Sequence, residues 1–377
     1  MKILLTGGGS GGHFYPLIAV AEEINKIVKE ERLLPVQLYY MSDSPHDSNM
    51  LLENNIEFMK ISAGKSRRYF SILNVFDFFK TGSGIMSALI KVFRLYPDVI
   101  FSKGAYSSFP VLVAAKLLNI PLFIHESDSF PGRTNLWAGK FAKRIAVSYP
   151  EAANFFDSSK VAFTGNPIRN NIELPQVKGN AKQFLNLKEE IPVILILGGS
   201  LGARIINEQI ISILPQLVEK YYIIHQVGKN NIKEVVGVAN VILTDNKNKD
   251  RYRPYDYLDS LNMSMASGAA DLVVSRAGSA IFEIANWGKP SIIIPITDSN
   301  GDHQRKNAYY YSRTSGGAIV IEESNLSPNI LLSEINRLLD NEDLLKKMSE
   351  GAKDFVKADA AKLIAKEILN LGLKHEK

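Results

Sequence analysis

At 377 residues the chain is too long for one ordinary hydrophobic core and suits two domains. With 46% hydrophobic and 22% charged residues it is not a disordered chain, and without cysteine it has neither disulfides nor thiolate metal sites. Its net charge of +5 is modest and fits nucleic acid, anionic lipid or a phosphate-bearing substrate without choosing among them.

Residues 2–5 read as a short buried strand, too brief for the apolar segment of a signal peptide. It runs into Gly8-Gly9-Ser10-Gly11-Gly12, after which Leu17, Val20, Ala21, Ile24 and Val28 share one helical face. Gly7, Gly9 and Gly12 have dinucleotide-binding spacing, but the acidic partner such a site needs is represented only by Asp43, late after the strand at 37–43. An NAD enzyme is therefore a minor alternative. Residues 65–94 set Lys65, Arg67 and Arg68 before Tyr69, Phe70, Ile72, Leu73, Val75, Phe76, Phe78 and Phe79, with Lys80, Lys91 and Arg94 beyond. That mixture suits an anionic membrane surface, or equally a core helix with solvated ends.

Residues 98–101 and 121–125 read as strands around an apolar helix. The longest apolar stretch, 109–124, is broken by Lys116, Asn119 and Pro121 and falls short of the roughly 20 apolar residues that cross a bilayer. A cytoplasmic chain is expected. Gly165-Asn166-Pro167 interrupts the pattern and marks the link between domains.

The second half repeats the opening phrase. A strand at 192–197 runs into Gly198-Gly199-Ser200-Leu201-Gly202, then Ile206, Ile210, Ile213 and Leu217 at helical spacing. A glycine loop between strand and helix lets backbone approach a ligand and exposes the N–H groups of the helix start, which bind phosphate. Neither loop is followed by Gly-Lys-Ser/Thr, so neither is a P-loop. Two such loops predict two doubly wound α/β domains and a nucleotide-diphosphate ligand. His13 closes the first loop as a general base or as a loop cap. Ser10 and Ser200 hold equivalent places, as donors to phosphate or as residues suited to tight turns.

A strand at 272–275, a helix at 280–287 and a strand at 291–295 follow. Between the first two, Arg276-Ala277-Gly278-Ser279 opens another helix start, and Glu283 offers a carboxylate able to accept from both ribose hydroxyls. The polar stretch 302–307 reads on its own as a solvated loop, with the lining of a sugar site as the alternative. A closing helix at 354–373 packs back on the first domain. No Asp-x-Asp motif and no metal-spaced histidines occur, so a reaction without metal or cofactor is expected.

Read in order along nearly the whole chain, these phrases resemble glycosyltransferase family 28, and within it the UDP-GlcNAc:lipid I N-acetylglucosaminyltransferases of peptidoglycan synthesis. The residues that carry this are Gly8-Gly9-Ser10-Gly11-Gly12-His13, His125-Glu126-Ser127-Asp128, Pro131-Gly132, Thr134-Asn135 and Gly165-Asn166-Pro167-Ile168-Arg169. Further on they are Gly198-Gly199-Ser200, Gly202-Ala203-Arg204, residues 276–283, Asp302-His303-Gln304 and Asn307-Ala308.

The resemblance implies an α/β GT-B fold, two Rossmann-like doubly wound domains facing across a cleft. Residues 1–166 would take the acceptor and the membrane, 167–353 would bind UDP-GlcNAc, and 354–377 would return to the first domain. It implies inverting transfer of N-acetylglucosamine to the 4-hydroxyl of N-acetylmuramic acid in undecaprenyl-diphosphate-linked lipid I. The partners would be UDP-GlcNAc, lipid I and the anionic cytoplasmic face of the cell membrane, with no nucleic acid. Ser10, Gly11 and Gly12 would lie near diphosphate and acceptor, with His13 as base. Arg169 and Ser200 would contact the donor nucleotide or diphosphate. Gly278, Ser279 and Ala280 would present N–H groups to phosphate, Glu283 would hold the ribose, and Gln304 would contact the sugar. Asp128 stands where many members carry a sugar-contacting asparagine, and Ala105 where many carry glycine. Competing readings are another lipid-directed UDP-sugar transferase, a UDP-GlcNAc epimerase, and a non-catalytic lipid-sugar-binding scaffold.

Overall fold

The computed structural model describes residues 1–64, 73–169, 175–199, 202–297, 299–357 and 359–375. The chain divides into two compact units, one of Met1–Arg169 with Lys357–Lys377 and one of Asn170–Val356.

In the first unit β1 (Lys2–Thr6), β2 (Gln37–Ser42), β3 (Ile56–Lys60), β4 (Val99–Ser102), β5 (Leu122–Glu126), β6 (Arg144–Val147) and β7 (Val161–Phe163) form a sheet. All are parallel, in the order β3-β2-β1-β4-β5-β6-β7. Parallel strands need helical crossovers, which cover both faces of the sheet. Hence Ile3, Leu4 and Leu5 in β1, and Val99, Ile100 and Phe101 in β4, are apolar without alternation and fully buried. The strand order reverses between β1 and β4, where Thr6 lies beside Ser102. A crevice opens outside the carboxyl ends of strands at such a reversal.

The helix Gly11–Glu30 follows β1 and buries Leu17, Ile18, Ile24 and Ile27. Against it packs the helix Ala360–His375, with Ile364, Ala365 and Ile368 in the same core. The sequence read 354–373 as one helix. Instead, one helix, Glu342–Phe355, ends as Val356 turns extended, and the next begins after Asp359 at φ 73°.

In the second unit β8 (Val193–Leu197), β9 (Tyr222–Gln226), β10 (Tyr252–Tyr255), β11 (Leu272–Ser275), β12 (Ser291–Ile293) and β13 (Ala318–Val320) are parallel, in the order β10-β9-β8-β11-β12-β13. The reversal falls between β8 and β11, with Leu197 beside Ser275. The helix read through Ile206 and Leu217 is two, Arg204–Ser212 and Leu214–Lys220. Pro215 has no N–H to continue the first, and its fixed φ suits the first turn of the second. The polar stretch at 302–307 is no solvated loop: it opens the helix His303–Ser315, and its Asn307 is 1% exposed.

Candidate active site

The first glycine loop is fastened at the reversal of the first sheet. The Tyr40 hydroxyl donates to the Gly7 carbonyl. Burial pushes that phenol up to about 12, so it stays a donor. A Cβ on Gly7 would stand 3.0 Å from that of Lys103, and one on Gly9, at φ 85°, would stand 2.8 Å from the Tyr106 ring. The loop therefore rests directly on the segment after β4, and its glycines are what allow the approach. Ser10 is the extended residue before the helix; its carbonyl accepts from the N–H groups of His13 and Phe14, both at 3.2 Å. Its hydroxyl makes no capping bond and is exposed. Gly11, Gly12 and His13 form the first helical turn, with His13 half-buried. Asp43, weighed above for a dinucleotide ribose, instead accepts from the Tyr106 hydroxyl at 2.8 Å.

Beside this loop lies a buried polar network centred on Lys103, a residue with no role in the sequence reading. Lys103 follows β4 and is 1% exposed. Its Nζ donates to His125 Nδ1, to Ser127 Oγ and, at 3.4 Å, to Asn166 Oδ1. Accepting at Nδ1 places the His125 proton on Nε2, which donates to the Gly165 carbonyl at 3.0 Å. Burial, then the Lys103 charge, holds His125 well below the usual imidazole range, so it is neutral. Burial also brings Lys103 down to about 7, against the charges of Glu126 and Asp128. Glu126 is pushed up to about 7 by burial and then by Asp128. Its oxygens accept from the N–H groups of Asp128 and Gly132, both at 3.0 Å, and from the Asn135 amide at 2.9 Å. Glu126 thereby shapes the loop that carries Asp128.

Arg169 also lies in this unit. Its guanidinium stacks 4.0 Å from the Tyr15 ring centroid and touches Met50 Sδ, with 6% of the residue exposed. Ser10 thus caps the turn that holds Gly11, Gly12 and His13, and Arg169 is fixed beside that helix. Asp128 sits half-buried at the rim of the Lys103 network.

In the second unit the loop after β8 needs its glycines. A Cβ on Gly202, at φ 77°, would lie 2.1 Å from the Val227 carbonyl oxygen. Ser200 lies outside the described residues. Gln226 fastens this loop by donating to the Gly199 carbonyl at 3.1 Å while accepting from the Leu258 N–H at 3.1 Å. At the other side of the reversal, Gly278 and Ser279 precede the helix Ala280–Asn286, whose first turn carries half-buried Glu283. Arg276 is turned into the unit, pairing with Glu323 at 2.5 Å and donating to the Ile294 carbonyl at 3.1 Å. Asn307 donates to the Ala277 carbonyl at 3.3 Å, which docks the helix His303–Ser315 on the Arg276–Ser279 turn. Gln304 on that helix accepts from the Ile296 N–H at 3.1 Å.

Family models match along both units. The glycosyltransferase family 28 N-terminal domain covers residues 3–147, and the family 28 C-terminal domain covers residues 193–364. A relative from Clostridium perfringens is 37% identical over 345 residues, 91% of each chain. The chain belongs to glycosyltransferase family 28. That relative is named UDP-N-acetylglucosamine–N-acetylmuramyl-(pentapeptide) pyrophosphoryl-undecaprenol N-acetylglucosamine transferase. Another family 28 relative of the same designation, from Bacillus cereus, is 36% identical over 373 residues, 97% of this chain and 99% of its own. Among solved structures, MurG of Acinetobacter baumannii is similar with a TM-score of 0.71 at 24% identity, covering 98% of this chain and 99% of that one. UDP-GlcNAc 2-epimerase of Neisseria meningitidis shares the fold with a TM-score of 0.69 at 16% identity, over 98% of this chain and all of that one.

Proposed function

We propose that the chain transfers N-acetylglucosamine from UDP-GlcNAc, with inversion, to the 4-hydroxyl of N-acetylmuramic acid in lipid I, forming lipid II for peptidoglycan. The observation that carries this is the match, over nearly the full length, to family 28 relatives that bear this activity in their names. The first unit takes the acceptor and the second the donor. His13 removes the proton of the attacking hydroxyl; the new bond forms at C1 as the bond to the β-phosphate oxygen breaks, and the electron pair leaves with UDP. Its place in the first helical turn, at the reversal of the sheet, supports that assignment. The amides of Gly11 and Gly12 and the Ser10 hydroxyl face diphosphate oxygens, and Arg169, held on Tyr15, adds fixed positive charge beside them. In the second unit Ser200 and the amides of Gly278, Ser279 and Ala280 meet the donor phosphates. Glu283 holds the ribose, Gln304 binds the sugar, and Asp128 of the first unit accepts from a sugar hydroxyl.

The acceptor's polyprenyl chain requires work at a bilayer, at its cytoplasmic face in this reading. Among the described residues no helix is long and apolar enough to cross a membrane. Residues 65–72 of the basic-aromatic segment lie outside the described residues, and for 73–79 only the helical backbone is described. Further along the same helix, Leu73–Leu95, Met86, Ile90 and Phe93 recur at helical spacing and are 59%, 45% and 63% exposed. With Arg94 exposed beside them, they suit an anionic surface.

Two measurements test the proposal. The full chain should transfer sugar to a lipid I analogue from UDP-GlcNAc and poorly from UDP-glucose. Equal use of both, or acceptor-independent epimerisation of UDP-GlcNAc, would sink it. Anionic liposomes should float the wild type but not a variant with Ile90 and Phe93 changed to serine; equal flotation removes the membrane face.

A further inference from the structure

The reaction as described gives the loop after β2, residues 43–47, no task, yet this loop packs on the first glycine loop and on the helix that follows it. Asp43 accepts from the Tyr106 hydroxyl. Asp47 accepts from the N–H groups of Asn49 and Met50 at 3.0 and 3.2 Å and so starts the short helix Ser48–Glu53. Both carboxylates are thus engaged by their own neighbours. Between them stands His46, exposed and at φ 57°, a conformation that glycine adopts freely and a Cβ makes costly. Its ring is set against the first turn of the helix Gly11–Glu30, with ring centroids 5.0 Å from Phe14 and 5.6 Å from Tyr15. A Cβ on Gly11 would meet the Tyr15 ring at 2.7 Å and would stand 3.6 Å from His46 Nε2. The imidazole therefore comes up to the residue that opens the helix. Tyr15 also carries Arg169 over its ring, and Arg169 Nε is buried with no hydrogen-bond partner among the described residues. A buried guanidinium with a spare donor points to an anion that completes it. Leucine would cover Phe14 as well as histidine does, and glycine would suit the backbone better. What histidine alone brings to this place is an imidazole N–H.

We propose that His46 binds the acceptor's diphosphate: its imidazole N–H donates to a phosphate oxygen at the start of the helix Gly11–Glu30, beside the Gly11 and Gly12 amides. Imidazole keeps an N–H to donate whether neutral or charged. This rests on the reaction proposed above and adds a residue to its acceptor site. UDP-GlcNAc, held by the second unit, does not meet His46.

The test uses the full chain, with UDP-GlcNAc and a lipid I analogue each varied in turn. His46→Gly relieves the left-handed residue, so the variant should unfold at about the wild-type temperature or above it. It should lower kcat/KM for the acceptor by about tenfold to a hundredfold while KM for UDP-GlcNAc stays within about twofold. His46→Gln, which can bring an N–H to the place of Nε2, should recover most of that loss. His46→Leu, which keeps the packing on Phe14, should not. Farnesyl diphosphate should compete with the acceptor, and His46→Gly should weaken its inhibition by a similar factor, with farnesyl monophosphate affected less. Wild-type acceptor kinetics in His46→Gly, a leucine variant as active as the glutamine one, or a loss shared by both substrates would overturn the inference. So would an acceptor-selective loss with unchanged inhibition by farnesyl diphosphate, which would put His46 on another part of the acceptor. If His46→Gly fails to fold, the glutamine and leucine variants decide between them. Absence of any transfer by the wild type instead overturns the assigned reaction, and this inference with it.

Discussion

Each unit buries one histidine at the same place, the fourth residue of a five-residue strand. His125 is in β5 and His225 in β9; both are fully buried, and each precedes a residue whose side chain ties down loop backbone, Glu126 or Gln226. Their surroundings differ. His225 bonds to the Tyr252 hydroxyl at 3.1 Å and to Asn207 Oδ1 at 3.0 Å, both neutral, and burial alone pushes it down to about 3. His125 faces an ammonium, with carboxylates of Glu126 and Asp128 close behind. A satisfied neutral network contributes to a unique core. A buried network that includes titratable cations and carboxylates is more expensive than a neutral one, and such groups concentrate at functional sites.

The largest expected effect lies on the charged side. His13→Ala should cut turnover by ~10²–10⁴ while UDP-GlcNAc binding, read by calorimetry, stays near wild type. Near-normal turnover would remove the base. The contrast itself is broken or sharpened by His125→Leu and His225→Leu. Each costs its buried partners a hydrogen bond, at about 1–3 kcal/mol in denaturant unfolding for a group left with no other, as Asn207 Oδ1 is in His225→Leu. Only the first should also lower kcat/KM for the acceptor, because only there does an ammonium lose its acceptor. Matching kinetic losses in the two would show the networks to be alike.

Acid sensitivity gives a smaller effect. A histidine held neutral binds fewer protons folded than unfolded between about 3 and its ordinary 6.5, so it makes stability fall as pH drops through that window. The slope is about 1.4 kcal/mol per pH unit for one such group. His225→Leu should therefore be less stable than wild type at pH 7 but lose less on acidification. Parallel curves from pH 6.5 to 4.5 would mean that His225 takes up its proton as readily folded as unfolded.

The fold was legible wherever burial is two-sided. β11 was read at its observed limits because Leu272 to Ser275 is apolar or small between charged Asp271 and Arg276. Pro215 and the break after Phe355 were missed because apolar spacing continues across both, while a missing N–H and one left-handed residue interrupt the backbone. The glycine loops with Ser10, His13 and Glu283 stood out locally. Lys103 did not: a lysine beside glycine looks solvated, and its burial arises from partners 22, 24 and 63 residues away.

The smallest effect concerns the segment that carries Lys103. After β4 the chain passes through Gly104 at φ 80° and Ala105 at φ 68°, ψ 171°, whereas the corresponding turn after β11, residues 276–279, holds no positive φ. The Ala105 conformation is one that glycine adopts freely and a Cβ makes costly, by about 1–3 kcal/mol. Glycine gives back about 0.4–1 kcal/mol through a more disordered unfolded chain. Ala105→Gly should thus stabilise the protein by about 1 kcal/mol in denaturant unfolding, whereas most glycine substitutions destabilise. The strain has a counterpart next to it: the following residue, Tyr106, lies under Gly9 and donates to Asp43. If Ala105→Gly is stabilising yet slows transfer, the strained residue is holding Tyr106 against the glycine loop. If it destabilises, Ala105 is relaxed in the folded protein and the two turns differ in shape alone.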